Sequence, residues 1–416
     1  MLRVKSGLWK PGIVSLILLL IMGIMVPQTI AATTADDVNY SLRKAVDYYY
    51  DSGKTLDWMY ALGLGSAGDA GAMRYDVGSP DFSKLTDAEN RLMGLVAAQR
   101  DVTAVSVNGE VYNLVQIIAS SQKPDGHFGG PGATLNNTLW AVIALDMAAN
   151  NGVSSAVYSY DADKALDYIS GKQCADGGFD ESGWGEDADS TAHVLLAIAP
   201  HVTSDSQIIT KALNYLSSKQ LPSGGIDNWG ENPSSTAAVI EALVALGKDP
   251  QGSEWTKDGH NLVGSLLSYQ TATGGFIQTT NWGPVDHTAF ALLALTDLAS
   301  CKSKYQHQFV ITPCDIHLAV DSTATLVAGS DADLTVRVAN VSGNNKPVLV
   351  IAVLYNSSGK MERYSYASHE IAAGTTQGFG LGFGLPVGTG YKVKVMVWDS
   401  WQNRQPLCSA VTIPVN

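Results

Sequence analysis

The stretch Gln173-Cys-Ala-Asp-Gly177-Gly-Phe179 decides the fold, because the chain carries four copies of its pattern. In each copy a glutamine is followed four residues later by a glycine, and within two more positions by a bulky apolar residue. The copies are Gln122-Lys-Pro-Asp-Gly126-His-Phe128, Gln173 to Phe179, Gln220-Leu-Pro-Ser-Gly224-Gly-Ile226 and Gln270-Thr-Ala-Thr-Gly274-Gly-Phe276. The glutamines lie 51, 47 and 50 residues apart. Self-similarity at such a period indicates a stacked or circular array of one supersecondary unit.

A second element recurs in register after each motif and contains a threonine. Its copies are Asn137-Thr138-Leu139, Ser190-Thr191-Ala192, Ser235-Thr236-Ala237 and His287-Thr288-Ala289, and an alanine lies six residues after each threonine. Capping residues followed by Ala and then Leu or Ile at helical spacing predict a helix that begins at the Ser or Thr. An amphipathic stretch also precedes each glutamine. The predicted unit is therefore an outer helix, a glycine-rich turn and an inner helix.

Each part of the motif has an expected role. The glutamine ends the outer helix, where its amide can satisfy terminal carbonyls or the donors of the next helix start. The glycine suits a turn that needs positive φ, and the following Phe or Ile packs the turn into the core. With the less regular helices upstream we count roughly six pairs, one outer helix between Gly65 and Phe82 being short or missing. Six such pairs can close into a ring.

The first residues have the layout of a secretory signal. Arg3, Lys5 and Lys10 precede an apolar run over 13–26, and Thr29-Ile-Ala-Ala32 follows with the small residues of a cleavage site. The run has 14 residues, fewer than the roughly 20 needed to span a bilayer. We predict that residues 1–31 are a signal peptide that is removed. The mature protein is then secreted or extracytoplasmic at the cell surface, with no stable membrane anchor.

The charge balance excludes some partners. The chain has 39 acidic and 26 basic residues, a formal net charge of −13, and loss of residues 1–31 with their three basic residues makes it about −16. Nucleic acids and anionic membranes need basic patches, so neither is an expected partner. None of the four cysteines has metal-site spacing, and we predict no metal and no cofactor. Cys301 and Cys314 flank the change from helical to strand-like sequence, so a disulfide between them is a candidate.

From Cys314 onward the sequence is typical of β structure. Stretches over 332–339, 348–355 and 391–398 alternate or run in β-branched residues, with Gly, Asn and Ser clusters between them. Short strands with such turns predict a sandwich of roughly 100 residues. The predicted organisation is a toroid over 32–300, a linker over 301–314 and an immunoglobulin-like β-sandwich over 315–416. The fold class is thus multidomain, an (α/α)6 toroid of helical hairpins followed by an antiparallel β-sandwich.

The glutamine motif resembles the QW repeat of squalene and hopene cyclases, in which a Gln, a Gly and a Trp tie the outer helices together. The resemblance covers residues from about 37 to 300 and implies the prenyltransferase and terpene cyclase type of (α/α)6 toroid. The nearest tryptophans here, Trp184, Trp229 and Trp282, fall later than that pattern places them. They are read either as structural contacts between repeats or as an aromatic rim for an apolar or sugar-like ligand.

Class II terpene cyclases protonate an alkene or epoxide with the middle carboxylic acid of an Asp-x-Asp-Asp motif. Asp187-Ala-Asp189-Ser190-Thr191-Ala192 matches that motif except at its fourth residue. The resemblance implies Asp189 as the proton donor and Asp187 as its partner, since a strong acid must be neutral, desolvated and hydrogen-bonded. The structural alternative is that these residues cap a helix start. A single toroid also lacks the second α-barrel of squalene-type cyclases.

Three other groups of proteins share this toroid, and their characteristic motifs or domain plans can be compared with this sequence. Protein prenyltransferases need zinc ligands: His287 after Asp286 resembles theirs, but Pro233-Ser-Ser-Thr-Ala offers no cysteine. Complement-type thioester domains need a Gly-Cys-Gly-Glu-Gln run, which Lys172-Gln-Cys-Ala-Asp does not match. Cobalamin carriers such as transcobalamin and intrinsic factor are similar in gross plan, with secretion, a toroid and a smaller β domain.

We therefore expect a secreted, non-catalytic protein that binds a small apolar or amphipathic ligand, or a surface protein or glycan. The alternatives are a single-toroid class II cyclase and a cobalamin-type carrier. A scaffold can host many chemistries, so the site residues must decide. The candidate ligand-binding residues are Trp184, Glu186, Asp187, Asp189, His193, Trp229, Trp282, Asp286 and His287.

Overall fold

The computed structural model describes residues 33–154, 158–306, 308–309, 316–320, 326–340, 344–408 and 410–416. The predicted signal peptide and Cys314 lie outside these ranges, so signal cleavage and the disulfide with Cys301 stay predictions. None of the helices in the described ranges has the length and apolar character that a membrane span requires.

The part of the chain described between 33 and 300 holds eleven α-helices in two layers. In chain order they are α1 (Ala35–Asp51), α2 (Trp58–Ser66), α3 (Leu85–Ala97), α4 (Leu114–Ser120), α5 (Leu135–Asn150), α6 (Ala162–Ser170), α7 (Ala188–Ile198), α8 (Gln207–Lys219), α9 (Pro233–Ala245), α10 (Leu262–Ser268) and α11 (Thr288–Ser300). Helices α2, α3, α5, α7, α9 and α11 form the inner layer, and the others lie outside. The outer position between α2 and α3 holds only a 3₁₀ turn over Ala70–Arg74, where a short or missing helix was expected.

The inner helices form a closed ring. Each packs against two others in the order α2, α3, α5, α7, α9, α11 and back to α2. The alanines six residues after each threonine, Ala144, Ala197, Ala242 and Ala294, are buried, and their small side chains let neighbouring backbones approach. The chain therefore has the predicted (α/α)6 toroid.

The apolar residue of each motif is fully buried and tied to the inner helix that follows. The backbone N–H groups of Phe128, Phe179, Ile226 and Phe276 donate to the hydroxyls of Thr138, Thr191, Thr236 and Thr288 at 2.9–3.1 Å. Three inner helices begin earlier than predicted, because Thr134, Asp187 and Asn232 are their N-caps. In those helices the threonine lies in the first turn, and only α11 begins at its threonine as predicted.

The glutamines fasten each unit to the next. Each side-chain amide donates to the carbonyl of the motif glycine and to a second carbonyl in the following outer element; the second acceptors are Asp161, Ile208, Trp255 and Ser41. The glycine is required for two reasons, which Gly177 illustrates. Its φ is +98°, and a Cβ there would lie 2.4 Å from the carbonyl oxygen of Lys211. The motif therefore works as the joint between successive units.

Short hairpins decorate the loops of the toroid, and seven longer strands lie in the described part of the C-terminal region. The hairpin strands are β1 (Val105–Val107), β2 (Glu110–Tyr112), β3 (Thr256–Lys257), β4 (His260–Asn261), β5 (Ile277–Thr280) and β6 (Gly283–Asp286). The longer strands are β7 (Ile316–Val320), β8 (Asp331–Asn340), β9 (Lys346–Tyr355), β10 (Met361–Ile371), β11 (Thr376–Gly384), β12 (Lys392–Trp398) and β13 (Val411–Pro414).

The seven longer strands form two antiparallel sheets, ordered β10-β9-β12-β13 and β11-β8-β7. Alternate residues such as Val336 and Val338 of β8 and Val350 of β9 enclose one apolar core. The predicted change from α to β structure is confirmed; the immunoglobulin-like label for this sandwich remains a prediction. Helix α1 connects the two regions, since Asp51 pairs with Arg337 and Arg43 donates to the Ala410 carbonyl at 3.3 Å.

Candidate functional site

Aromatic side chains from helices that are not neighbours meet in the lumen of the ring. The rings of Trp58 on α2 and Trp140 on α5 have centroids 6.0 Å apart, although α3 lies between those helices in the ring. Such a contact is possible only across the lumen. Tyr305, from the segment after α11, lies 6.4 Å from Trp140 in the same cluster.

The repeat register shows which positions face this cluster. Trp140, His193 and Phe290 lie two residues after the threonines of their repeats. The rings of Trp140 and His193 are 5.1 Å apart, and Phe290 keeps 40% of its surface exposed. Trp58, Trp140 and His193 are half-buried, so solvent reaches part of each ring.

His193 is held as a cation by a carboxylate. Its Nδ1 lies 3.1 Å from both carboxylate oxygens of Glu181, and the two side chains are only 20% and 15% exposed. Burial acts to lower the pKa of His193, but the charge and hydrogen bond of Glu181 outweigh it and raise the pKa to about 9. The imidazole is therefore protonated at neutral pH, and the site contains a fixed ion pair beside Trp140.

Asp189 lies one helical turn before His193, on the same face of α7. Its Oδ1 is buried and accepts no hydrogen bond of normal geometry among the described residues. Burial raises the pKa of Asp189 above its usual value, and the nearby His193 cation and Ser235 hydroxyl oppose part of that increase. A buried carboxyl oxygen without a partner is costly to keep, and such groups concentrate where ligands bind.

Buried charges close the lumen below the aromatic cluster. The Lys304 ammonium lies 2.8 Å from Glu241 on α9 and 2.8 Å from Asp297 on α11. The Lys304 and Asp297 side chains are fully buried. Burial acts to raise the pKa of Asp297, and Lys304 counters it. One cation thus pairs with two acids from neighbouring inner helices.

The segment that carries Lys304 covers this end of the ring. Asn150 donates to the Tyr305 carbonyl at 3.3 Å, Gln99 donates to the Phe309 carbonyl at 3.0 Å, and the Phe309 N–H donates to Asn151 at 2.7 Å. Tyr305 and Phe309 are buried. These residues fall in the stretch predicted as a linker, and here they form the floor of the toroid.

Comparison with known proteins finds one family model that matches part of the helical region. Residues 92–246 match the family of prenyltransferase α/α toroid domains. The match runs from within α3 to just past the end of α9. No curated protein sequence matches the chain.

Comparison with solved structures gives matches at low sequence identity. The type II terpene cyclase MstE from Scytonema is 13% identical, with a TM-score of 0.46, over 64% of this chain and 99% of that one. A protein from Actinoplanes is 13% identical, with a TM-score of 0.42, over 64% of this chain and all of that one. A β-glucuronidase from Bacteroides uniformis is 15% identical, with a TM-score of 0.19, over 24% of this chain. The match spans only 13% of that enzyme's length.

Within the toroid, several predicted site residues have structural partners. Asp187 is the N-cap of α7 and accepts from the Ser190 N–H at 2.7 Å. Asp286 lies 2.7 Å from Lys54, and His287 Nδ1 lies 2.6 Å from the Ser234 hydroxyl. Asp187 therefore stabilises its own helix, whereas Asp286 and His287 link separate elements of the toroid. Glu186 is exposed and only its backbone carbonyl is bonded, to the Tyr215 hydroxyl.

The tryptophans do not pack between repeats of the toroid. Trp184, Trp229 and Trp282 are 86%, 87% and 98% exposed, so their interpretation as structural contacts between repeats is wrong. They lie at the tips of the turns that precede the inner helices, where the chain makes a tight reversal and no neighbouring element covers it.

The lumen of the toroid contains residues that were not predicted: Trp58, Trp140, Glu181, Phe290 and the Lys304 group. A signal for two of them existed in the sequence. Residues two before and two after each repeat threonine face the same way as Asp189 and His193, so the register of Thr138 and Thr288 points to Trp140 and Phe290. The described residues contain no group of three or more His, Cys, Asp or Glu able to hold a metal.

Proposed function

We propose that the toroid is a non-catalytic binding domain for a small amphipathic molecule. The proposed binding site lies among Trp58, Trp140, His193 and Phe290. The observation that carries this proposal is the buried Oδ1 of Asp189, which accepts no hydrogen bond of normal geometry among the described residues beside these aromatic rings. Apolar walls with a few polar groups are the usual composition of small-molecule sites. The ligand's apolar part would contact the rings, and a hydroxyl or amine would bind Asp189.

The side chains that occupy the floor of the toroid favour ligand binding over terpene cyclisation. A class II cyclase folds a long polyene beneath its acid, which requires a deep apolar lumen. Here Tyr305 and the Lys304 ion group occupy the lumen beyond Trp140. Burial raises the pKa of Asp189 and the His193 cation opposes only part of that increase, so the acidity of Asp189 does not decide between the two functions. Asp187, which a cyclase would use as the partner of the acid, instead caps α7.

The proposal includes an extracytoplasmic location. It is supported by the signal-like sequence of residues 1–31 and the acidic balance of the chain. Expression of the full chain in a bacterial host, followed by fractionation and N-terminal sequencing, would test whether the segment is removed during export.

Titration with farnesol, an uncharged amphipathic alcohol, tests the binding site. We expect a saturable change in tryptophan fluorescence and a rise in melting temperature with farnesol concentration. Trp140→Ala should abolish the response, and Trp401→Ala, in the β region, should leave it unchanged. Equal responses of the two variants would place any binding elsewhere.

Two measurements address the alternative functions. Incubation with squalene or geranylgeranyl diphosphate should give no cyclised product; a product that disappears in Asp189→Asn would replace the binding proposal by cyclase activity. Titration with cobalamin should leave the melting temperature unchanged, and a progressive rise would favour a carrier.

A further inference from the structure

Three consecutive turns at the mouth of the toroid present an exposed tryptophan in the same way. In each, the tryptophan precedes a glycine with strongly positive φ: Trp184-Gly185, Trp229-Gly230 and Trp282-Gly283, with glycine φ values of +107°, +112° and +110°. The tryptophans are 86% to 98% exposed. Monomeric proteins seldom expose large aromatic side chains in a group, and such groups usually mark interaction sites.

The three turns are joined into one surface, which we call the tryptophan arc (residues 180–187, 227–232 and 277–286). The Ala188 N–H, at the end of the first turn, donates to Asn228 of the second at 3.2 Å. Gln278 of the third turn donates to the Glu231 carbonyl of the second at 2.7 Å. The tryptophans therefore lie along a continuous part of the rim.

The turns hold their tryptophans in ordered backbone. Asp180 accepts from the N–H groups of Ser182, Gly183 and Gly185 at 2.6–3.0 Å, and Asp227 accepts from Gly230 at 3.0 Å. Trp282 sits at the tip of the β5–β6 hairpin. A side chain on a preformed turn loses little conformational freedom on binding, which is an advantage for an interface anchor.

The negative charge of the tryptophan arc favours a cationic partner. Its three segments contain seven Asp and Glu residues and no Lys or Arg. Glu181 and Asp286 pair with His193 and Lys54 from outside the segments, and the other five acids have no salt bridge among the described residues. Glu186 and Asp227 are exposed and lie two positions from Trp184 and Trp229. Aromatic faces beside carboxylates match cationic groups, because a guanidinium or ammonium can stack on the ring and pair with the acid.

We propose that the tryptophan arc is a docking surface for a basic, arginine- or lysine-containing segment of another protein. Its basic side chains stack on Trp184, Trp229 and Trp282 and pair with Glu186 and Asp227. This interaction is separate from ligand binding in the lumen and does not depend on it. The same acidic field disfavours anionic lipids and anionic glycans.

A fluorescein-labelled peptide of alternating Arg and Ser, twelve residues long by design, tests the proposal by fluorescence anisotropy. We expect saturable binding that weakens as NaCl rises from about 50 to about 300 mM, since exposed charges are screened. The triple variant Trp184→Ser/Trp229→Ser/Trp282→Ser should bind at least about tenfold more weakly, at about two- to fivefold for each exposed cation–π contact. Its melting temperature should be unchanged, because the replaced side chains are exposed.

Two controls separate the arc from nonspecific attraction. Trp401→Ser should bind like the wild type, and Glu186→Gln/Asp227→Asn should bind more weakly with a smaller salt dependence. If the triple variant keeps full affinity for the Arg peptide, the attraction is purely electrostatic and the proposal is overturned. It is overturned equally if cellohexaose or phosphatidylcholine vesicles bind the arc and the Arg peptide does not.

Discussion

Gln270 and Ser41 exchange two hydrogen bonds across 229 positions of the chain. The Gln270 amide donates to the Ser41 carbonyl at 2.9 Å, and the Ser41 hydroxyl donates to the Gln270 side-chain oxygen at 2.7 Å. The joint that elsewhere links successive units here links the last outer helix to the first. The ring is therefore closed by the same chemistry that builds it.

Gln270→Ala should lower the free energy of unfolding by about 2–4 kcal/mol. It removes hydrogen bonds worth about 1 kcal/mol each and leaves the buried Ser41 hydroxyl without its partner. The matched control is Gln122→Ala, whose amide exchanges two hydrogen bonds with Asp161 between successive units, near the surface. Urea denaturation should show a larger loss of unfolding free energy for Gln270→Ala than for Gln122→Ala. Equal losses would mean that closing the ring contributes no more to stability than joining two successive units.

Two glycines, Gly177 of the motif and Gly183 outside it, allow the cost of backbone strain to be compared with the cost of a steric clash. Gly177→Ala places a methyl group against the Lys211 carbonyl, whereas Gly183, also at positive φ, has open space around it. Gly183→Ala should cost about 1 kcal/mol from backbone strain alone. Gly177→Ala should cost about 3 kcal/mol or more, since a packed core tolerates little added volume. Thermal unfolding of the two variants checks the difference, and similar melting temperatures would contradict it.

Lys304→Met should be among the most destabilising single changes in the toroid. It leaves Glu241 and Asp297 buried without a cation, and breaking a buried pair in this way costs about 3–5 kcal/mol. Adding Glu241→Gln and Asp297→Asn to the same chain removes the unpaired charges and should restore most of the loss. If the triple variant unfolds as easily as the single one, the role of Lys304 is packing and not charge neutralisation.

The ion pair of His193 predicts a pH dependence. Its pKa is raised from 6.5 to about 9 in the folded state, so the folded protein holds this proton more tightly than the unfolded chain. The resulting stability, about 3 kcal/mol at most, is fully present below about pH 6.5 and is lost as the pH rises through about 9. His193→Gln should therefore be less stable than the wild type at pH 6, and the difference should shrink by pH 9.5. A constant difference across that range would contradict the pairing.

Asp189→Asn should not destabilise the protein at neutral pH. Burial raises the pKa of this carboxyl, so the folded state disfavours its ionised form, and a neutral amide removes that penalty. Asp187→Ala is the contrasting change: it deletes the N-cap of α7 and should cost about 1 kcal/mol. Chemical denaturation at pH 7 measures the free energy of unfolding of both variants. An unchanged value for Asp189→Asn and a lower value for Asp187→Ala would indicate that only Asp187 is needed for the stability of the helix.

The sequence predicts the scaffold well because the scaffold is repetitive. The glutamine, glycine and apolar residue recur in four units, and each has one local task that its chemistry dictates. Strands β10 and β11 were missed because β10 is polar over most of its length and β11 alternates glycine with Phe or Leu, so neither has the β-branched pattern that predicts a strand.

The candidate site was harder to predict, because the lumen joins residues from units far apart in the chain. Trp58 and Trp140 belong to different inner helices, and neither local sequence predicts that the two rings contact each other. Lys304 lies outside the repeats altogether. Its role follows from two acids that face each other only after the ring has closed.

The position of that lysine sets an order of events during synthesis. The eleven α-helices of the described residues all precede residue 304 in the chain, so Glu241 and Asp297 emerge from the ribosome before the cation that pairs with them. A nascent toroid that has reached α11 still carries two uncompensated acids, and its lumen is open at the end that Tyr305 and Phe309 will cover. Completion of the toroid therefore waits for the first residues of the connection to the β-sandwich.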